Sequence, residues 1–247
     1  MKFSNREINV KEIKMTLDVL AIGAHPDDVE IGAGGTIAKT VAAGGKAGMV
    51  SLTEAELSSN GTVENRLIEA DKAAKLLKAD PVITLKFPDR HLEDHRSNII
   101  AELCRLIRLH RPRIVLAPWH NDRHPDHGHC GRLTREAVFN AGIVKYLPEI
   151  EPWKPQRLYF YAINSNDRPH FAVDISSQLD LKYKALQAFQ SQFIKSGKEK
   201  DTPLNNGFLE RLHARDVQLG TQTGTYAAEG FFAEEPVLLQ SITEEDL

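Results

Sequence analysis

The sequence predicts an α/β fold: a Rossmann-like, doubly wound, mainly parallel sheet with helices on both faces. Three observations carry this. Short apolar runs of strand length recur, as parallel strands buried on both faces require. Segments with helical spacing alternate with them over the first 140 residues, the pattern of a wound parallel sheet. The stretches richest in reactive side chains directly follow two of those runs, and such sheets place their sites at the carboxyl ends of strands.

Leu17–Gly23 opens the series as a buried strand. Gly32–Ala43, rich in small residues, reads as a helix ending at Gly44-Gly45. Ala47–Leu52 is the second strand. Glu64–Leu77 has helical spacing through Leu67, Ala70, Ala73, Ala74 and Leu77. Pro81–Leu85 is the third strand. Ser97 is positioned to cap a helix through Leu109, with Ile99, Ile100, Leu103, Leu106 and Ile107 on its apolar side. Ile114–Ala117 is the fourth strand and His129–Ala141 the next helix. The segment from Lys145 to Pro155 reads as a long surface connection. Leu158–Ile163 and Phe171–Val173 are further strands, and Leu179–Phe193 and Leu204–Gly220 are late helices. Residues 16–247 are expected to form a single domain. Residues 1–15, polar and mixed in charge, read as a loosely ordered extension without signal-peptide character.

Composition narrows the function. The chain has 247 residues, 41% hydrophobic and 26% charged, as ordinary globular domains do. A net charge of −3 gives no electrostatic case for nucleic acid or an anionic membrane as partner. No apolar run approaches the roughly 18 to 20 residues of a spanning helix. The two cysteines form no CxxC, and Cys104 falls on the apolar side of its helix. This usage fits a reducing, cytoplasmic location.

The chemistry concentrates in two places. After the first strand comes AHPDDVE, which sets His25, Asp27 and Asp28 within four residues at the edge of the core. Such groups compete or repel unless a cation sits among them. After the fourth strand comes APWHNDRHPDHGHC, holding His120, His124, His127 and His129 with Asp122 and Asp126; these are four of the chain's ten histidines. His25 and Asp28 could reach His127 across the sheet. Two imidazoles and one carboxylate leave coordination positions open, as catalytic zinc requires and structural zinc does not. The same donors accept ferrous iron. Such an ion lowers the pKa of its water to about 7. Asp27 would then take the proton. His124, protonated or suitably hydrogen-bonded, would stabilise an oxyanion, and Asp126 would orient an imidazole. A helix N-terminus with an early proline and acids favoured by the dipole explains one aspartate of HPDD equally well. It leaves His25 and the second His-Pro-Asp unexplained. Gly32, Gly34 and Gly35 do not make a dinucleotide site, because HPDD occupies the place of a GxGxxG motif. They suit close helix–sheet packing instead.

AHPDDVE together with HPDH resembles the PIG-L/LmbE-like family of metal-dependent N-acetylglucosamine deacetylases. The resemblance implies His25, Asp28 and His127 as zinc ligands and Asp27 as general base. It also implies an oxyanion role for His124 and an imidazole-holding role for Asp126. TEAELSSNGTVENRLIEA, FPDR, DRHPDHGHC, FAVDIS and AEGF resemble the branch that deacetylates N-acetylglucosaminyl malate in bacillithiol synthesis. That branch implies a small amino-sugar conjugate as substrate and a homo-oligomer, in its relatives a hexamer. GTQTGTYAAEGF, residues 220–231, departs from the branch pattern at the segment where substrate identity would be decided. Arg66 matches a family arginine near the substrate and suits a bidentate grip; the competing reading is an exposed arginine paired with Glu64 or Glu69. Asp89 is a candidate for sugar hydroxyls, or for a turn ion pair with Arg90. Arg123 is a candidate for binding an anion or pairing with Asp122, and Tyr226 for lining the pocket. Two other functions compete: hydrolysis of a different N-acyl amine, and a non-catalytic sugar- or metal-binding module. A binding module has no need of a base at Asp27.

Overall fold

A computed structural model describes residues 16–238 apart from 196 and 198. The extension expected over residues 1–15 lies outside the described residues. One sheet of seven strands organises the chain: β1 (Val19–Gly23), β2 (Ala47–Ser51), β3 (Val82–Thr84), β4 (Ile114–Pro118), β5 (Arg157–Tyr161), β6 (Phe171–Asp174) and β7 (Ala228–Phe232). Their order is β3-β2-β1-β4-β5-β7-β6. The first five run parallel, and β7 inserts antiparallel between β5 and β6. The expected doubly wound α/β fold is therefore present, with an antiparallel flank added at one side.

Among the described residues seven α-helices cover the sheet: α1 (Asp28–Ala42), α2 (Val63–Leu77), α3 (Arg96–His110), α4 (Pro125–Ala141), α5 (Leu179–Gln187), α6 (Gln190–Phe193) and α7 (Phe208–Thr223). The period-2 geometry of strands divides the core between two faces. Val19 and Ala21 of β1 and Met49 of β2 meet Ile31 and Ile37 of α1, Leu77 of α2 and Leu186 of α5. Leu20, Ile22 and Val50 point the other way, onto Leu103 and Ile107 of α3 and Leu133 and Ala137 of α4.

Several boundaries differ from expectation. Helices α1 and α4 begin at Asp28 and Pro125, each four residues before the predicted start. Pro125 pre-sets the first turn, and Asp28 and Asp126 are acids where the dipole favours them. Both reactive motifs are thus helix N-termini as well as clusters of reactive groups. Ser97 does not cap α3, which starts at Arg96 without a side-chain cap. The single helix predicted over Leu179–Phe193 is broken after Gln187, where Phe189 leaves helical geometry at ψ 62°. Helix α7 is shifted to lie between Gly207 and Gly224, both left-handed, as glycine allows. Strand β7 falls where no strand was expected. The connection 142–156 carries no helix or strand. It is held by the buried Arg108, whose guanidinium donates to the carbonyls of Asn140, Ala141, Ile143, Leu147 and Ile150.

Gly32 serves close packing, as the sequence suggested: a Cβ there would stand 2.0 Å from Cδ2 of Tyr161. Tyr161 in turn donates its hydroxyl to the carbonyl of Ile22 at 2.7 Å. The contact fixes α1 close against the carboxyl ends of β1 and β5.

Candidate active site

The strand order reverses direction between β1 and β4, so a crevice opens outside their carboxyl ends. Residues 24–27 leave β1 there and residues 119–124 leave β4 there. Asp28, the first residue of α1, accepts from the N–H of Ala24 at 2.8 Å and of His25 at 3.0 Å through Oδ2. This locks the turn and leaves Oδ1 facing Nε2 of His127 at 3.2 Å. The His25 ring lies against the same carboxylate, with Nδ1 3.6 Å from Asp28 Oδ2. Its Nε2 meets Asp89 Oδ1 at 3.2 Å and Asp126 Oδ2 at 3.7 Å. His124, just before α4, stacks on His127 with ring centroids 4.6 Å apart, and edges onto His25 at 4.9 Å.

Asp27 sits at φ 108°, a backbone conformation that only glycine adopts freely. The strained turn aims its buried side chain at Arg66 of α2, whose Nη2 donates to Asp27 Oδ2 at 3.0 Å and to the carbonyl of Pro26 at 2.6 Å. Arg66 is itself buried, so neither the exposed position nor the pairing with Glu64 or Glu69 obtains.

The electrostatics separate the groups. Burial pushes the Asp27 carboxyl up to about 6, against the pull of Arg66. Burial also pushes Asp28 up, but the His127 and His25 imidazoles outweigh it and hold Asp28 well below the usual range. Burial pulls His127 down, yet Asp28 and Asp122 raise it to about 9. For His124 burial prevails, joined by the charges of His127 and His25, and the ring falls to about 4. In the metal-free site this favours a neutral imidazole, which can still donate a ring N–H.

The structure thus brings together His25, Asp27, Asp28, Arg66, Asp89, His124, Asp126 and His127. Asp126 stands behind His25, with its Oδ2 also taking the N–H of Arg90 at 2.8 Å. Asp89 lies on the same edge of the His25 ring. Arg123 is exposed and donates to Asn164 Oδ1 at 3.2 Å rather than pairing with Asp122. Tyr226 is 63% exposed in the turn between α7 and β7, apart from the hydrogen-bonded cluster. Two members were missed. Asp122 takes Nδ1 of His127 at 3.0 Å, and Asn164, just after β5, donates to Asp122 through both its backbone and its side chain. The histidine-rich stretch containing Asp122 was the only signal; nothing in it points to residue 164.

The donor set suits a divalent metal. His25, His124 and His127 offer ring nitrogens within 4.8 Å of one another, and His25, Asp89 and Asp126 make a second such group. Nδ1 of His124 is buried without a hydrogen-bond partner among the described residues.

Fold and site define a doubly wound α/β protein with an imidazole–carboxylate centre able to hold a metal at its switch point. The family described as GlcNAc-PI de-N-acetylase (PIG-L) matches residues 20–138. A diacetylchitobiose deacetylase of Thermococcus kodakarensis is 34% identical over 190 residues, 71% of this chain and 70% of the relative. The crystal structure of a conserved protein from Thermus thermophilus superposes with a TM-score of 0.82 at 38% identity, covering 93% of this chain and 100% of that one. The N,N'-diacetylchitobiose deacetylase of Pyrococcus horikoshii gives a TM-score of 0.72 at 25% identity, over 86% of this chain and 82% of that one. The chain belongs to the PIG-L family of deacetylases.

Proposed function

We propose that the protein is a metal-dependent N-deacetylase that hydrolyses the acetamide of an N-acetylglucosamine conjugate. One observation carries the reading: the buried Asp27 carboxylate, gripped by Arg66, lies beside the cluster of His25, Asp28 and His127. A base held next to three metal donors is what amide hydrolysis needs. Zinc or ferrous iron bound by His25, Asp28 and His127 would supply Lewis-acid activation of water and polarise the acetamide carbonyl. Asp27 takes the proton as the water oxygen bonds to the carbonyl carbon. It returns that proton to the nitrogen as the C–N bond breaks, so acetate and a free amine leave. The neutral His124 donates a ring N–H to the oxygen that gains charge. Asp126 holds the His25 ring. Arg66 and Asp89 are assigned to the sugar, and the exposed Arg123 to the group beyond it.

Among such conjugates we favour N-acetylglucosaminyl malate, the bacillithiol precursor. Support comes from the branch-like motifs around Arg66, Asp89 and residues 122–130, and from Arg123 as a cation suited to a carboxylate. The identity to a diacetylchitobiose deacetylase favours a second substrate, a chitobiose-type disaccharide. A cytoplasmic homo-oligomer, up to a hexamer, completes the reading. The test is amine release from the malate conjugate, diacetylchitobiose and N-acetylglucosamine by zinc-loaded and iron-loaded protein. Preference for the malate conjugate supports the branch. Preference for the disaccharide sinks it and keeps the deacetylase. Asp27→Asn should lower kcat by about 10²–10⁴ with metal content unchanged; loss of the metal would refute that division of labour.

A further inference from the structure

Asp122 lies three residues before Pro125, the first residue of α4, and its side chain is only 2% exposed. Both of its oxygens are engaged. Oδ1 meets Nδ1 of His127 at 3.0 Å, the N–H of His124 at 2.8 Å and Nδ2 of Asn164 at 3.2 Å. Oδ2 takes the N–H of Asn164 at 2.8 Å. Two of these partners are backbone N–H groups, which can only donate, so both oxygens act as acceptors at these contacts. The ring nitrogen facing it must then carry a hydrogen. The amide of Asn164 is oriented from its other end: Oδ1 accepts from Nη2 of Arg123, which turns Nδ2 toward Asp122. Asn164 comes from a segment 42 residues further along the chain, on the far side of β5.

We propose that Asp122 and Asn164 form a positioning pair that keeps a hydrogen on Nδ1 of His127, so that Nε2, beside Asp28, is the nitrogen that gives up its proton and ligates when a metal enters. The inference rests on the metal-centre reading above and adds the residues that make His127 a good ligand. The tautomer of an imidazole is set by the hydrogen bond its other nitrogen makes. Without Asp122 the ring is free to keep its hydrogen on Nε2 and leave Nδ1 bare, the tautomer that cannot ligate beside Asp28. Asn164 denies the carboxylate any other rotamer and ties the segment after β5 to the centre. Neither residue touches the reacting atoms, so their effect appears in metal affinity and coordination geometry.

The experiment measures zinc affinity by chelator competition for the wild type, Asp28→Ala, Asp122→Asn and Asn164→Ala, with the visible spectrum of each cobalt-substituted protein. The expected result is an affinity about 10- to 100-fold weaker for Asp122→Asn. Asn164→Ala should weaken it in the same direction by a smaller factor. The cobalt spectrum should shift in both while thermal stability of the stripped protein stays near wild type. A purely structural role would lower that stability and leave the spectrum of the cobalt protein unmoved. Wild-type affinity and spectrum in both variants overturn the positioning pair and leave the metal centre standing. Failure of the wild type itself to bind zinc or cobalt, matching Asp28→Ala, overturns the reading beneath it. Should Asp122→Asn not fold, Asn164→Ala, which keeps its backbone N–H, decides the matter alone.

Discussion

Asp27 holds a left-handed backbone and a buried carboxylate at once, and Arg66 is the group that makes this tolerable. A carboxylate in this position without its guanidinium would be an uncompensated buried charge. Arg66→Met should therefore cost about 3–5 kcal/mol in urea unfolding. Adding Asp27→Asn to that variant should recover part of the loss, because the two residues act as a unit. Strict additivity in the double-mutant cycle would mean that they do not interact. His25, Asp27, Asp28 and His127 were legible from the sequence because reactive groups were crowded into two short motifs. Asp122 stood in view only as a candidate partner of Arg123. Asn164 was not legible: its contact is made across 42 residues, and no spacing rule spans such a distance. Asp89 was read as a sugar contact, and only the fold puts its carboxylate 3.2 Å from Nε2 of His25. Buried, densely hydrogen-bonded partners of this kind belong to the third dimension.

Helix α1 shows how an element carries a site. Its first residue is Asp28, and its middle is pinned from three sides. Gly32 lies under the Tyr161 ring. Glu229 of β7 accepts from the N–H groups of Gly35 at 2.8 Å and Thr36 at 2.7 Å. Arg215 of α7 reaches the carbonyl of Ile31 at 3.5 Å, the acceptor that Gly35 would use in a regular helix. Glu229 is balanced by Lys182 of α5 at 2.9 Å, which also pairs with Asp216 of α7 at 2.7 Å, all three charges being buried. Lys182→Met should cost about 3–5 kcal/mol, since two carboxylates lose their cation. A loss under about 1 kcal/mol by urea unfolding would show that Asp216 and Glu229 are not charged together. Gly32→Ala drives a methyl into Tyr161, so it should destabilise by about 1–3 kcal/mol. It should also weaken metal binding by displacing Asp28; unaltered metal affinity would separate the helix's packing from its role in the site. The same element explains what the sequence concealed. Strands β1, β2 and β4 were legible as apolar runs. Strand β7 was not, because Glu229 and Gly230 interrupt the pattern of AEGFF, and a buried glutamate reads as an exposed one until its lysine is found. The starts of α1 and α4 were placed four residues late because the helical spacing was counted from Gly32 and His129, although His-Pro-Asp leads directly into the first helical turn.

Across the whole molecule, the centre joins the two faces of the sheet. Helix α1 belongs to one hydrophobic layer and α4 to the other, and Asp28 of α1 meets His127 of α4 where β1 and β4 end. A metal held by His25 and Asp28 from one side and His127 from the other would staple both layers at that point. In the unfolded chain the two groups are about 100 residues apart in sequence, so the three-donor site exists in the folded state alone and binding is linked to folding. At a hundredfold excess over its dissociation constant, zinc should add about 2.7 kcal/mol. For a chain of this size that corresponds to roughly 5–10 °C in Tm. A chelator should remove the gain, and Asp28→Ala or His127→Ala should abolish it while leaving the stripped protein near its own baseline. The pH dependence has a definite sign. Imidazole must shed its proton to ligate, and Asp28 and Asp122 raise His127 to about 9 in the metal-free protein, so the zinc-induced gain should shrink as pH falls through that value. A thermal shift that persists undiminished at about pH 5, well below that value, or that survives both substitutions, would place the ion elsewhere on the molecule and leave the two faces joined by packing alone.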